Sequence, residues 1–221
     1  MEQLIQISEE IKSLWNETAI GFVSADVHVK DTPEDLRHQL QKEVDRVQQE
    51  LALEEISSLP QIHTGRKAYR AFGKAPARYR LSAEALFRRI LKGQGMYFVN
   101  NIVDINNLLS IQSRLPICAF DGNKVQAPIA FRLGKKNEGY SGIGRGKLNI
   151  ENLPVFSDNQ GPFGSPTSDS ERVKITTETR LLYMSIVSFQ GITNLQKHLE
   201  KLGTYLLTYA EARDIEQQII H

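Results

Sequence analysis

Hydrophobic positions follow two regimes along the chain. Through most of the first half they recur every three or four residues, which predicts amphipathic helices. Ser8, Glu9 and Glu10 form a cap that leads into a short helix through Trp15. Residues 19–29, rich in β-branched and aromatic side chains, predict a strand. Thr32-Pro33-Glu34-Asp35 then starts a long helix: a cap, a proline in the first turn and acids against the helix dipole. Its stripe of Leu36, Leu40, Val44, Val47 and Leu51 predicts docking onto the chain's own core. Pro60 is expected to close this region. Short helices are predicted at 64–72, from Ser82 to Lys92 and from Asp104 through Ile111. Beyond Pro116 the pattern becomes short apolar runs broken by Gly, Pro, Asn and Asp, which predicts strands at 117–120, 129–133, 155–156, 173–175 and 181–189. Residues 191–221 are read as helix again, in two pieces broken near Gly203. Helices first, strands next and a helix last predict an α+β class, one domain over 1–221 with a mixed or antiparallel sheet core flanked by helices.

Composition narrows the picture. The chain has 221 residues, and 27 basic against 26 acidic side chains give a net charge of +1. That value by itself predicts no polyanion partner. The charge is uneven, however. Between residues 61 and 95 lie Arg66, Lys67, Arg70, Lys74, Arg78, Arg80, Arg88, Arg89 and Lys92, against Glu84 as the sole acid. Two readings stay open: a solvated helical face, or a nucleic-acid surface carried by Arg66, Lys67, Arg70, Arg78 and Arg80. One cysteine, Cys118, excludes an internal disulfide and fits a reducing compartment. The first residues lack the basic start and apolar stretch of a secretory signal, and the longest apolar run, 181–189, is too short to span a bilayer. A cytoplasmic location without membrane attachment is expected.

Several chemistries find no support. Gly139, Gly142, Gly144 and Gly146 suggest a phosphate cradle, but they match no dinucleotide fingerprint, and Lys147 precedes Leu148 where a phosphate-binding loop needs Ser or Thr. A flexible turn is the expectation there. The five histidines are scattered and there is one cysteine, so no metal site and no cofactor are expected. No nucleophile elbow of the Gly-x-Ser-x-Gly type is present.

Two longer stretches are specific. Val103-Asp104-Ile105-Asn106-Asn107, continued through Arg114-Leu115-Pro116-Ile117-Cys118-Ala119-Phe120-Asp121, resembles the signature of the B3/B4 editing domain of the phenylalanyl-tRNA synthetase beta subunit. Residues 158–172, with Gly161-Pro162-Phe163-Gly164-Ser165-Pro166-Thr167-Ser168-Asp169-Ser170 at their centre, resemble its second signature in the form seen in stand-alone relatives. The likeness is strongest over residues 79–189. It implies a soluble α+β domain with an amino-acid-sized pocket, which in the synthetases hydrolyses wrongly attached tyrosine, because binding alone discriminates near-isosteres poorly. The resemblance implies substrate contacts at Asn106, Asn107, Arg114, Pro116, Cys118, Phe120, Gly161, Phe163, Gly164, Ser165, Thr167, Ser168, Asp169, Ser170 and Ser185. Cys118 stands where the family's site histidine falls, and Ser185 where a site glutamate falls, so a preference for tyrosine does not carry over. Nothing resembles an ATP-using aminoacylation core.

Read as chemistry, the 161–170 loop supplies backbone N–H groups, hydroxyls and the Asp169 carboxylate, which suits an ammonium and an ester oxygen. The competing reading is a self-capping turn. Cys118, flanked by apolar residues and lacking a neighbouring base, reads as a small buried residue rather than a nucleophile. The expectation is a trans-acting editing-type domain that binds an amino acid or an aminoacyl-tRNA 3′ end and hydrolyses a mischarged ester. The alternative is a non-catalytic module for a small ligand or RNA.

Overall fold

In a computed structural model the described residues are 4–221; residues 1–3, part of the segment that spoke against a secretory signal, lie outside them. The class is α+β, with six helices and ten strands among the described residues. Strands β2 (Ala19–Asp26), β3 (Ile117–Asp121), β9 (Leu181–Ser188) and β10 (Arg213–Ile220) form an antiparallel sheet in the order β10-β2-β9-β3. Strands β1 (Ile5–Ile7), β4 (Ile129–Leu133), β7 (Pro154–Asp158) and β8 (Gly161–Gly164) form a mixed sheet in the order β1-β4-β7-β8, in which β1 runs parallel to β4. The mixed and antiparallel sheet core expected from the sequence is divided between these two sheets.

Two-residue periodicity explains the layering. In the antiparallel sheet Ala19, Val23, Ile117, Ala119, Leu182, Met184 and Ile186 face the helices, while Ile20, Phe22, Cys118, Phe120 and Val187 face the mixed sheet. A sheet covered on both faces needs apolar side chains on both, which is why β2, β3 and β9 read as continuous apolar runs, whereas the edge strand β10 is polar and largely exposed. On the helical side lie α2 (Glu34–Glu50), α4 (Ser82–Leu91), α5 (Asn101–Ser113) and α6 (Leu195–Ala210); α3 (Pro60–Ala71) sends Ala68 and Tyr69 into the core between the sheets. The short α1 (Glu9–Leu14) is capped by the Ser8 hydroxyl, as expected. The α2 stripe of Leu36, Leu40, Val44 and Val47 is buried. No helix among the described residues is long and apolar enough to cross a membrane.

Five local expectations are corrected. Pro60 opens α3 instead of closing a region, because a proline at the first helical position loses nothing by lacking an N–H. Thr32 does not cap α2; its hydroxyl donates to the buried carboxylate of Asp104 on α5. Helix α5 begins at Asn101, not Asp104, capped by the Asn100 side chain, which accepts from Val103 N–H at 2.9 Å. Residues 173–175 form no strand: a short 3-10 turn ends at Val173. The largest correction is the C-terminus, where α6 runs unbroken through Gly203 and β10 follows. Gly203 stays in the helix because the helix lies against β10; a Cβ there would stand 2.8 Å from Gln217 Nε2, whose amide donates to the Leu199 carbonyl.

Helix α5 is held in place by a side chain. The buried Asn101 amide donates to the His28 and Tyr209 carbonyls at 2.9 Å each and accepts from Lys30 N–H at 3.0 Å. One residue thus ties α5 to the exit of β2 and the end of α6, and so sets where Asn106 and Asn107 sit.

Candidate functional site

Strand β3 is an edge of the antiparallel sheet, so half of its backbone groups have no strand partner. At that edge the Ala119 N–H donates to Oδ2 of Asp169 at 3.3 Å. Beside it opens a cavity of about 380 Å³ walled by Val99, Val103, Asn106, Ala119, Ile143, Asp169, Lys174 and Ile175, near the lower end of the roughly 300–1,000 Å³ usual for ligand pockets. A second, more open cleft of about 390 Å³ shares Asn106 and continues past Asn107, Ser82, Arg89, Arg145 and Thr167. The three pieces singled out by the sequence, the Asn107 helix, the Cys118 strand and the bend at 165–170, do enclose a space.

The cavity's polarity is simple. Five apolar side chains line it, and Asp169 is its only carboxylate. Lys174 is engaged by Glu171 at 3.2 Å. Asp169 Oδ1 and Asn106 Oδ1 are both buried without a hydrogen-bond partner. Orphaned buried acceptors are uncommon in folded proteins and mark a place for a donor. An amide can present oxygen or nitrogen, so Asp169 decides the sign of the group that fits. Burial pushes the Asp169 carboxyl up from 3.8 to about 7, against the hydrogen bond from the Ala119 N–H that pulls it down.

The bend at 165–170 combines both readings of its sequence. Ser165 Oγ accepts from the N–H groups of Thr167 and Ser168 at 3.3 and 3.1 Å, and the Tyr140 hydroxyl lies 3.0 Å from it. Tyr140 also donates to the Ser168 carbonyl at 2.6 Å. Ser170 caps the next turn by accepting from Arg172 N–H at 3.2 Å. Those hydroxyls hold the bend's shape. Thr167, whose hydroxyl sits 3.0 Å from that of Tyr69, and Asp169 face the open spaces.

Other implied contacts lie elsewhere. Cys118 and Ser185, paired across β3 and β9, project from the sheet face opposite Ala119, into the core between the sheets. The Ser185 hydroxyl is fully buried and unpartnered there. The Cys118 thiol donates to the Ser165 carbonyl at 3.4 Å, and burial, with the nearby Asp169, pushes its pKa well up. Phe120 and Phe163 pack edge to face at 4.9 Å, and Gly164 is needed where the Phe120 ring crosses, since a Cβ would collide with it. Gly161 starts β8 at a left-handed φ of 114°. Pro116 is buried, its carbonyl accepting from Val187 N–H at 3.0 Å. Arg114 ends α5 in the left-handed conformation and lines a separate surface cleft with Glu50 and Glu55. None of these residues lines either opening. Cys118→Ala is accordingly expected to leave ligand binding unchanged, and the thiol to resist alkylation until the chain unfolds; a native-state thiol that alkylates as fast as the unfolded one would overturn this placement.

Sequence reasoning missed Val99, Ile143, Lys174, Ile175, Arg89 and Arg145. The glycine-rich stretch supplies two of them. It is not a flexible turn but a hairpin of β5 (Gly139–Gly142) and β6 (Gly146–Asn149), whose tip places Ile143 and Arg145 at the openings and whose Ile143 N–H donates to the Asp169 carbonyl at 2.9 Å. The alternation of glycines with larger residues was the available signal. The basic segment is also reorganised: Arg66 and Arg88 turn onto the fully buried Glu84 at 2.9 Å, with Arg80 at 4.0 Å. Arg78 lies over the Tyr79 ring, and Lys67 and Arg70 remain exposed.

A model of the B3/4 domain matches residues 64–214, more than half of the chain and all the walls just described. The chain belongs to the B3/4 domain family. Among curated proteins it is similar to the phenylalanine–tRNA ligase beta subunit of Fusobacterium nucleatum, at 28% identity over 118 residues, covering 52% of this chain and 14% of the relative. Among solved structures, an N-terminal fragment of the phenylalanyl-tRNA synthetase beta-subunit from Pyrococcus horikoshii aligns over 100% of this chain and 51% of that fragment, with a TM-score of 0.48 and 14% identity. This B3/4 chain therefore spans about one seventh of the length of the curated relative.

Proposed function

We propose that this B3/4 chain acts as one unit that binds the aminoacyl end of a tRNA and hydrolyses the ester when the wrong amino acid is attached. One observation carries the reading: a small apolar cavity whose single carboxylate, Asp169, and the amide of Asn106 both have unsatisfied acceptors. An aminoacyl ester carries an ammonium and a side chain but has lost its own carboxylate. One carboxylate with apolar walls complements that charge pattern; a free amino acid would also need a cation for its carboxylate, and the one in the wall, Lys174, is paired with Glu171. The curated relative, named as a phenylalanine–tRNA ligase beta subunit, supports tRNA as the carrier of the ester. In this scheme Asp169 and Asn106 hold the ammonium, and the ester is presented to a water at the junction of the two openings. Rate enhancement then comes from positioning and desolvation rather than from a protein nucleophile.

A specific observation favours a second reading, non-catalytic binding. With Asp169 committed to the ammonium, no other carboxylate lines the cavity, and the Cys118 thiol is sealed away. Incubation of the purified protein with a panel of mischarged tRNAs separates the two. Release of at least one amino acid above the buffer rate is expected. No release from any ester, together with saturable binding of free amino acids, would reject hydrolysis and establish the second reading.

A further inference from the structure

The segment between α4 and α5 leaves Tyr97 68% and Val99 59% exposed, with Phe98 beside them at 37%. Exposed aromatics clustered at a cavity mouth mark a contact surface. This cluster is held in order. The Arg89 guanidinium donates to the Gly95 and Gln94 carbonyls at 2.9 Å each and lies 3.9 Å from the centroid of the Tyr97 ring. Arg37 lies 4.9 Å from the centroid of Phe98. One face of Tyr97 is thus covered by a cation, and its high exposure leaves the other face open. Val99, the last residue of the cluster, is itself a wall of the aminoacyl cavity.

The adjoining cleft has the opposite polarity from the cavity. It is lined by Arg89 and Arg145 and contains no acidic side chain. Arg145 is exposed at the hairpin tip, and Ser82 contributes a hydroxyl with no hydrogen-bond partner. Asn106 belongs to both openings, so whatever occupies the cleft is continuous with the occupant of the cavity. Cations in a groove beside an open aromatic face are the two components of single-strand nucleic-acid recognition: charges follow the backbone, and rings accept any base by stacking.

We propose that the cleft walled by Arg89 and Arg145 holds the sugar-phosphate backbone of an unpaired nucleic-acid 3′ end, with a base stacked on the open face of Tyr97. The inference rests on the reading of the cavity as an aminoacyl site, and it moves the nucleic-acid surface from the α3 face to the α4–α5 connection and the hairpin tip. The strand end would enter over Tyr97, pass Arg145 and deliver its terminal ribose to Asn106. Arg89 is a positioning residue here, since its guanidinium is already used to hold the segment that carries Tyr97.

The test uses the full chain and a labelled, unacylated, single-stranded RNA ending in a free 3′-hydroxyl, followed by fluorescence anisotropy across a salt series. Tyr97→Ala is expected to weaken binding roughly 5- to 100-fold with little change in salt dependence, and Tyr97→Phe to restore it. Arg145→Ala is expected to weaken binding and to reduce the slope of log affinity against log salt by about 0.7 for each phosphate no longer neutralised. Amino-acid methyl esters, which have no nucleotide, provide a separate readout of the cavity. Both variants should bind them as the natural chain does. Wild-type RNA affinity retained in Tyr97→Ala and Arg145→Ala would overturn the proposal while leaving the aminoacyl reading intact. So would a loss confined to Lys67→Ala and Arg70→Ala, which would return the RNA to α3. No RNA binding at low salt would also overturn it, and would leave the exposed aromatics as a docking point for protein. Asn106→Ala, at the residue shared by both openings, is expected to weaken methyl-ester and RNA binding together; RNA affinity unchanged in this variant would overturn the delivery of the strand end to Asn106.

Discussion

Asp169→Asn is expected to weaken binding of an aminoacyl ester at least tenfold and, at the same time, to make the protein more stable near pH 8. The first effect follows from a hydrogen bond to a charged group, worth about 1.5–3 kcal/mol when its partner is neutralised. The second follows from linkage. The Asp169 carboxyl is raised from 3.8 to about 7 in the folded chain, so between roughly pH 4 and pH 7 the folded protein keeps a proton that the unfolded chain has released. Its contribution to stability is therefore fully present below pH 4, declines as pH rises to about 7, and stays lost above that. Three units at 1.36 kcal/mol each set an upper bound of about 4 kcal/mol, and the half-buried position of the residue makes the realised value smaller. Asparagine keeps an acceptor for the Ala119 N–H but has no charge to bury. Urea unfolding at pH 5 and pH 8 checks this: the variant's gain over the natural chain should be clearly larger at pH 8 than at pH 5. A variant that loses stability at pH 8, or that binds esters as before, would remove Asp169 from the role assigned to it. In the natural chain, affinity for a cationic ester should rise as pH climbs through about 7.

Glu84→Ala should be the more damaging change to the fold. Glu84 is fully buried on α4, with both carboxylate oxygens 2.9 Å from Arg66 Nη1 on α3 and one of them 2.9 Å from Arg88 Nε. Removing one side of a buried ion pair typically costs about 3–5 kcal/mol, because the remaining charges lose their partner inside the protein. Arg66 and Arg88 retain some exposure to solvent, so a loss near the lower end, about 3 kcal/mol, is expected. A double-mutant cycle with Arg66→Met isolates the coupling: the double variant should be less damaged than the two single losses added together. A loss below about 0.5 kcal/mol on Glu84→Ala would show that these arginines are satisfied by water instead. Because the pair joins α3 to α4, the same substitution should loosen the wall that carries Ser82 and Arg89.

How much of this was legible in the sequence depends on the distance over which each feature is decided. Helix α1 follows from its Ser8 cap, and α2 and α4 from their apolar stripes, so all three were readable. The terminal strand β10 was not, because Arg213-Asp214-Ile215-Glu216-Gln217-Gln218 is rich in good helix formers; pairing with β2, from Arg213 opposite Asp26 to Ile220 opposite Ile20, overrides that local preference. Asn106, Asn107, Thr167 and Asp169, which line the openings, could be named from the sequence because they lie in contiguous motifs. Val99, Ile143 and Arg145 were missed because they come from separate loops that the fold alone brings to one opening. Arg66 and Arg80 looked like free surface charge because the sequence does not reveal that the lone acid among them is buried. Cys118 and Phe120 were placed at the site by adjacency to Ala119, although side chains along a strand alternate between faces and only the odd member looks toward α5.

That alternation changes how kinship in this family is best sorted. Positions 118 and 185 are neighbours across two strands and fill the seam between the sheets, lining neither opening. Exchanges there answer to the volume and wetness of that seam, and a larger residue at one invites a smaller one at the other. Homologues grouped by these two letters would be ranked by interior carpentry; grouping them by positions 106 and 169 would rank them by appetite.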